Sequence, residues 1–455
     1  MTDLDIPANS TLSSTERLLA RLGIRPEDKS VTALLFSNMF MSGIAIGMIR
    51  VCAFTLFLEH WKSEQLALIA ILIAVVGMPM TLVIERLTRR FGVHNYLFTI
   101  LGVILVGLAT MRLCLEFSGS KYLVFTLPLF FELTYMLFSL QFLALLSRLL
   151  NVRQTKRLTG IARSGEFLAE LTGGLVVVML LRFMQVDDLL VVAMLTTLIV
   201  IGIVGYTINH FREALVIQPE PPAIVTGIET TTQAPTGLLG MLRLPYVRLI
   251  TFCYVAYMFA YFFLEVAFYD YAARQFTDEK NLASFIAQFY AIAGFLTMLT
   301  MIFLFAPLLR KAGIIAGIIS FPLIIFLGAS TVTAMETLGL PALLIFAVMV
   351  ITNGLRIILQ SAIWKNSVAI LFQVLPDRQR SQGIALTEGV IDPLAGGLAG
   401  VCLFILTTQL SMEPKSFLFI LSGLMGIWVM VGFLVRRHYL SNLSLIHISE
   451  PTRRS

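Results

Sequence analysis

Arg163, Glu166 and Glu170 are spaced i, i+3 and i+7 in an otherwise apolar stretch, so they fall on one stripe of a helix. Far along the chain, Glu388 and Asp392 form a second acidic stripe at i and i+4. Arg50, Glu132, Glu265, Arg356 and Lys365 are each embedded in apolar sequence as well. At bilayer depth such groups are costly unless paired or hydrated, which makes each a candidate functional residue. Two acids one turn apart repel, which favours protonating one or recruiting a cation. Arg163, Glu166, Glu170, Glu388 and Asp392 are therefore read as gating or proton-linked groups, with the two stripes facing a shared cavity. Arginine offers a planar fork matched to phosphate or carboxylate and lysine a point charge, so Arg50, Arg356 and Lys365 are the candidates for binding an anionic solute. No acid on the same stretch pairs Arg50 or Arg356. Arg163 with Glu166 reads equally well as a salt bridge within one helix, and Glu132 and Glu265 are open between packing and function. Arg356 and Lys365 are nine residues apart, which puts them on nearly opposite sides of an ideal α-helix; only one of the two is expected to line a cavity.

The elements that hold these residues are membrane helices. Hydrophobic residues make up 58% of the 455 and charged residues only 13%, beyond what a soluble core requires. Apolar runs near twenty residues long predict about twelve spans: 33–58, 66–88, 94–116, 121–147, 159–184, 187–210, 246–270, 283–308, 313–333, 339–372, 383–408 and 416–435. They are continuously apolar, unlike the short alternating strands of a membrane barrel. The segments GIARSGEFLAELTGG, from Gly160 to Gly174, and GIALTEGVIDPLAGG, from Gly383 to Gly397, align without a gap, and Arg153-Gln154 and Arg378-Gln379 precede them. A repeat in the same orientation predicts an all-α membrane protein of two six-helix halves, 33–210 and 246–437, related by an axis along the membrane normal, as in major-facilitator-type carriers. Gly173-Gly174 and Gly396-Gly397 permit close helix contact.

Arginines and lysines collect on alternate connections, among them Arg17, Arg86, Arg212, Arg243 and Arg310, together with Arg153, Lys156 and Arg157 and with Arg378 and Arg380. The positive-inside rule then places both termini in the cytoplasm, in a bacterial inner membrane, and assigns the net charge of +6 to topology instead of nucleic-acid binding. Residues 1–32 are expected to form a cytoplasmic segment in which Ser13 and Glu16 cap a short amphipathic helix, with no signal peptide. Residues 211–245, rich in proline and threonine, read as a cytoplasmic linker. Cys52, Cys114, Cys253 and Cys402 are scattered singly and have no metal-ligand spacing; no metal or cofactor is expected. The stretch LSLIHISEPTRR, from Leu443, reads as a translated sequencing adapter, so 443–455 is set aside and a further soluble domain is expected to be missing after it.

Several stretches resemble the ATP/ADP translocase, or nucleotide transporter, family in its broader bacterial branch. QFLALLSRLLNVRQTKRLTGI, from Gln141, is similar to the family's connection between spans 4 and 5, and Glu132 sits about where the family carries a glutamate. DYAARQFTDEKNLASFIAQFYAIAGFLTMLTMIFL, from Asp270, and LPDRQRSQGIALTEGVIDPLAGGLAG, from Leu375, are similar to its signatures at spans 7 to 8 and 10 to 11. The resemblance implies a twelve-helix carrier exchanging ATP for ADP by alternating access, with Glu132 joining the substrate-binding candidates. The chain departs from the family pattern at Ala53 and Phe54, where an Arg-Asp pair is common, and at Gln360, Gln382 and Ile384, near usually basic positions. Two other readings stay open: a carrier of another organic anion or proton-coupled solute, and the membrane module of a sensor. ATP hydrolysis is not expected, because no G-x-x-x-x-G-K-[ST] loop occurs.

Overall fold

The computed structural model describes residues 25–118, 120–150, 152–211, 238–372 and 377–449. The capping motif at Ser13 and Glu16 and most of the expected linker lie outside the described residues. The described chain is helical almost throughout, because continuous apolar runs without water to satisfy their amides must close their hydrogen bonds within each segment. The helices are α1 (Lys29–His60), α2 (Leu66–Ser118), α3 (Lys121–Leu149), α4 (Val152–Leu180) and α5 (Leu189–His210), then α6 (Pro245–Gln275), α7 (Glu279–Leu299) and α8 (Phe305–Thr337). They continue as α9 (Ala342–Leu359), α10 (Lys365–Leu371), α11 (Asp377–Leu386), α12 (Asp392–Phe404) and α13 (Pro414–Ser449). Local chemistry sets several starts: Pro245 opens α6 where no amide partner is needed, and the Asp278 carboxylate accepts the Asn281 amide at 3.0 Å ahead of α7.

Ten helical stretches among the described residues are long and apolar enough to cross a membrane. α4 has the length but carries Arg163, Glu166 and Glu170 within its inner turns, so its hydropathy is lowered by the groups that matter most below. Near the start of α2 the apolar stretch is short, Ser63–Gly77. Large apolar side chains such as Val106, Phe117, Phe183, Ile302 and Met430 face outward, as they do on a lipid-facing surface.

Among the described residues, four π-helical turns interrupt the second part of the chain: Thr300–Leu304 after α7, Gln360–Trp364 between α9 and α10, Thr387–Ile391 between α11 and α12, and Ile405–Gln409 after α12. Such turns insert one residue into the α ladder and cluster at functional sites.

Helices α1–α5 meet α6–α13 chiefly near the face at which α1 ends, here the distal face. Gly174 on α4 lies against α7, where an added Cβ would come within 2.6 Å of the Ala287 carbonyl oxygen and the Ala291 Cβ. Gly397 and Gly400 on α12 lie against α2; a Cβ on Gly400 would come within 2.9 Å of the Ala67 carbonyl oxygen and 3.0 Å of the Ile71 amide nitrogen. Gly174 and Gly400 thus let α4 and α12 approach a helix of the other set at backbone distance, and Gly397, which closes the second segment, lies where an added Cβ would come within 2.8 Å of the Ala74 Cβ. Phe54 stacks on Tyr269 at 4.5 Å between centroids, and the Ser63 hydroxyl donates to the Asp270 carboxylate at 3.0 Å.

Candidate functional site

Between the two sets of helices is a cavity of about 420 Å³, within the range of about 300–1,000 Å³ typical of small-molecule sites. Arg50 from α1, Glu132 from α3, Arg163, Glu166 and Glu170 from α4, Glu265 from α6, Arg356 from α9 and Lys365 from α10 all line it. Four cations and four carboxylates therefore face one space, joined by Tyr135, Tyr261, Tyr290, Phe131 and Phe167.

The inner arginines are each paired with a carboxylate, whereas Glu132 has no ion-pair partner among the described residues. The Arg50 guanidinium lies 3.3 Å from the Glu170 carboxylate, and the faces of Tyr290 and Phe131 cover it at 4.2 and 5.3 Å. Arg356, 2% exposed, donates to Glu265 and Gln360 at 3.2 Å each and to Asn353 at 2.7 Å, with Tyr261 at 4.7 Å. Gln360 in turn donates to the Tyr257 hydroxyl. A buried guanidinium is tolerated only when its donors are satisfied and its charge is met, and each arginine has a carboxylate and an aromatic face. Each pair joins two helices of one set, α1 to α4 and α6 to α9, and so fixes the position of the cavity wall.

Among the described residues, the outer charges form no ion pair. Gly160, Arg163 and Lys365 are exposed, so water reaches the cavity from the face at which α1 begins, the proximal face. Arg163 makes no ion pair with Glu166, which accepts the Tyr135 hydroxyl at 3.5 Å; the salt bridge considered for α4 is not formed.

Two expectations are corrected. Arg356 and Lys365 both line the cavity, because the π turn Gln360–Trp364 lies between them and its inserted residue removes about one 100° step from their separation on the helical wheel. Conversely, Glu388 and Asp392 do not line the cavity. Glu388 lies within the π turn Thr387–Ile391 and Asp392 directly follows it, and the turn breaks the α register that would align their stripe with that of α4. Both lie in the field of Lys365, and Glu388 also in that of Arg163.

Away from the cavity, Arg157 pairs with the buried carboxylate of Asp28, which also accepts the Gln154 side chain at 2.8 Å. This ties the start of α1 to the start of α4. Arg380 is half-buried near the start of α11, and the side chains of Arg153, Lys156 and Arg378 lie outside those described. The four cysteines are unbonded to one another.

A family profile for the TLC ATP/ADP transporter matches residues 129–430, which hold seven of the eight charged cavity residues, all but Arg50. The chain belongs to the TLC ATP/ADP transporter family. No functionally curated protein matches the chain in sequence. Among solved structures, a bacterial homologue of the iron transporter ferroportin, in an inward-facing state, superposes with a TM-score of 0.63 at 12% identity, covering 92% of this chain and 99% of that one. A D-xylose-proton symporter superposes with a TM-score of 0.60 at 13% identity, covering 89% and 96%. At such identities the likeness carries the fold alone, that of major-facilitator-type transporters. This TLC-family chain is thus an integral membrane transporter, and its charged cavity lies where the two sets of helices meet.

Proposed function

We propose that this TLC-family transporter is a secondary carrier exchanging anionic nucleotides, of the ATP and ADP type, by alternating access. The observation that carries the reading is a cavity that receives cations from both helix sets, is rimmed by aromatic rings and has exposed cations at its proximal end. Phosphate suits the cations and a nucleobase suits the rings. The finer architecture belongs to the same reading: twelve spans in two six-helix halves, 33–210 and 246–437, with a tether at 211–245 and the proximal face in the cytoplasm. Two similar segments, each closing on a glycine packed against the other half, support the paired arrangement. Arg50, Glu132, Arg356 and Lys365 would contact or orient substrate. Arg163, Glu166, Glu170, Glu388 and Asp392 would serve gating or proton linkage.

Alternating access then has a physical form. Contacts at Phe54–Tyr269, Ser63–Asp270 and the glycine crossings hold the distal side shut; separating them and approaching the proximal ends of α4 and α10 would expose the cavity to the other side. The equality of four cations and four carboxylates favours one alternative, a proton-coupled carrier of an organic anion. An anion that displaces Glu170 or Glu265 from its arginine leaves a carboxylate whose cheapest remedy is a proton.

The test is uptake of labelled ATP into vesicles containing the full chain, with and without internal ADP, at fixed and imposed proton gradients. Uptake that requires internal nucleotide supports exchange. Uptake driven by the proton gradient without internal nucleotide supports the alternative, and no nucleotide uptake under any condition contradicts the nucleotide reading.

A further inference from the structure

We propose that the anionic end of the substrate is bound by Arg163 and Lys365 at the proximal mouth of the cavity, whereas Arg50 and Arg356, the more deeply buried arginines, position the wall around its uncharged end. This deepens the nucleotide reading and rests on it only for the identity of that uncharged end.

The cavity has two tiers. Along α4, Glu170 lies seven residues deeper than Arg163, about 10 Å at 1.5 Å per residue; from Lys365 back to Arg356 is nine residues, about 13 Å. Both mouth cations are therefore displaced toward the proximal face from the paired groups by a similar rise. In the inner tier the donors are committed: all three nitrogens of Arg356 have protein acceptors, and Arg50 is held by Glu170 between two rings. A polyanion arriving there must first break an ion pair and leave a carboxylate beside its own charge. In the outer tier Arg163 and Lys365 are exposed, and neither side chain has an ion-pair partner among the described residues. An anion meets donors there without having to break an ion pair. Thr159, Ser361 and Asn366 add neutral polar groups to the same wall. At the inner end Phe131, Tyr261 and Tyr290 offer apolar surface instead. The distance between tiers is on the scale of a nucleoside phosphate lying along the cavity.

The pair is also split between the helix sets, Arg163 on α4 and Lys365 on α10. Without an anion, their like charges oppose approach of the two sets at the proximal face. An anion held by both reverses the sign of that interaction and draws the mouth together, so occupancy and closure are linked through one contact. Glu388 and Asp392 lie in the field of Lys365, and Glu388 also in that of Arg163, but neither forms an ion pair with these cations among the described residues.

The experiment is binding to the purified full chain in detergent at low salt, with pyrophosphate, ATP and adenosine as probes. The variants are Arg163→Gln, Lys365→Gln and the conservative Lys365→Arg. Each Gln variant is expected to weaken pyrophosphate and ATP binding about ten- to a hundredfold, as for loss of one charged hydrogen bond, and to leave adenosine binding unchanged; Lys365→Arg restores most of the loss. Wild type that binds pyrophosphate through these residues but neither ATP nor adenosine would support the mouth site and contradict the nucleotide reading. ATP binding unaffected by either Gln variant, an equal loss for ATP and adenosine, or wild type that binds none of the probes would overturn the proposal.

Discussion

Arg356 has an acceptor for each of its side-chain nitrogens, and its environment predicts how it fails. Replacing it with alanine leaves Glu265 buried without a countercharge, a loss of about 3–5 kcal/mol for such pairs. The double variant Arg356→Gln with Glu265→Gln removes both charges and should be less destabilised than the sum of its singles, with a coupling of about 0.5–3 kcal/mol in thermal unfolding of the detergent-solubilised protein. Additive losses would show that the two side chains do not act as a pair. Lys365→Gln, at an exposed position that forms no ion pair among the described residues, should leave the unfolding temperature close to that of wild type. The sequence exposes these charges readily, since an ionisable residue within an apolar run is conspicuous. It hides their partners: Arg50 finds Glu170 and Arg356 finds Glu265 on other helices, where same-span spacing has nothing to say. Tyr261, Tyr290 and Asn353 are equally hidden, because aromatic and amide side chains in membrane helices serve packing far more often than they hold a cation.

At the scale of the element, the π turns decide which residues share a surface. Periodicity assumes an uninterrupted α-helix, so it separates Arg356 from Lys365 and aligns Glu388 with Asp392 on an inward stripe; one inserted residue undoes both assignments. A cysteine placed at 365 should react with a water-soluble thiol reagent from the same side as one placed at 163. Labelling of the two from opposite sides would contradict the shared cavity. The glycine crossings carry a second prediction. Valine at Gly400 would press on the backbone of α2 at Ala67 and Ile71, and valine at Gly174 on the Ala287 carbonyl of α7. Both variants should open the distal contacts and raise the reactivity of a cysteine placed at Asp270 relative to the same cysteine in an otherwise wild-type background. Unchanged reactivity would show that these crossings do not hold the distal face shut.

At the scale of the whole molecule, hydropathy makes the helical membrane class plain, and the paired segments ending in Gly174 and Gly397 point to the helices that cross between sets. What hydropathy cannot supply is which face is closed, because Phe54–Tyr269 and Ser63–Asp270 are contacts between residues more than two hundred positions apart. Nor does it supply the net result of eight opposing charges in one cavity, which shapes what this TLC-family transporter moves. If charge attraction at the mouth draws substrate in, nucleotide binding should weaken steeply as ionic strength rises, whereas adenosine binding should change little. The deciding measurement is nucleotide counter-exchange in proteoliposomes containing the full chain. Labelled ATP should enter only when ADP or ATP is present inside, and Lys365→Gln should slow entry at limiting external ATP by about tenfold or more while the protein stays folded. Entry of ATP at the rate of protein-free vesicles, whatever is inside, would contradict the assignment of nucleotide exchange to this cavity.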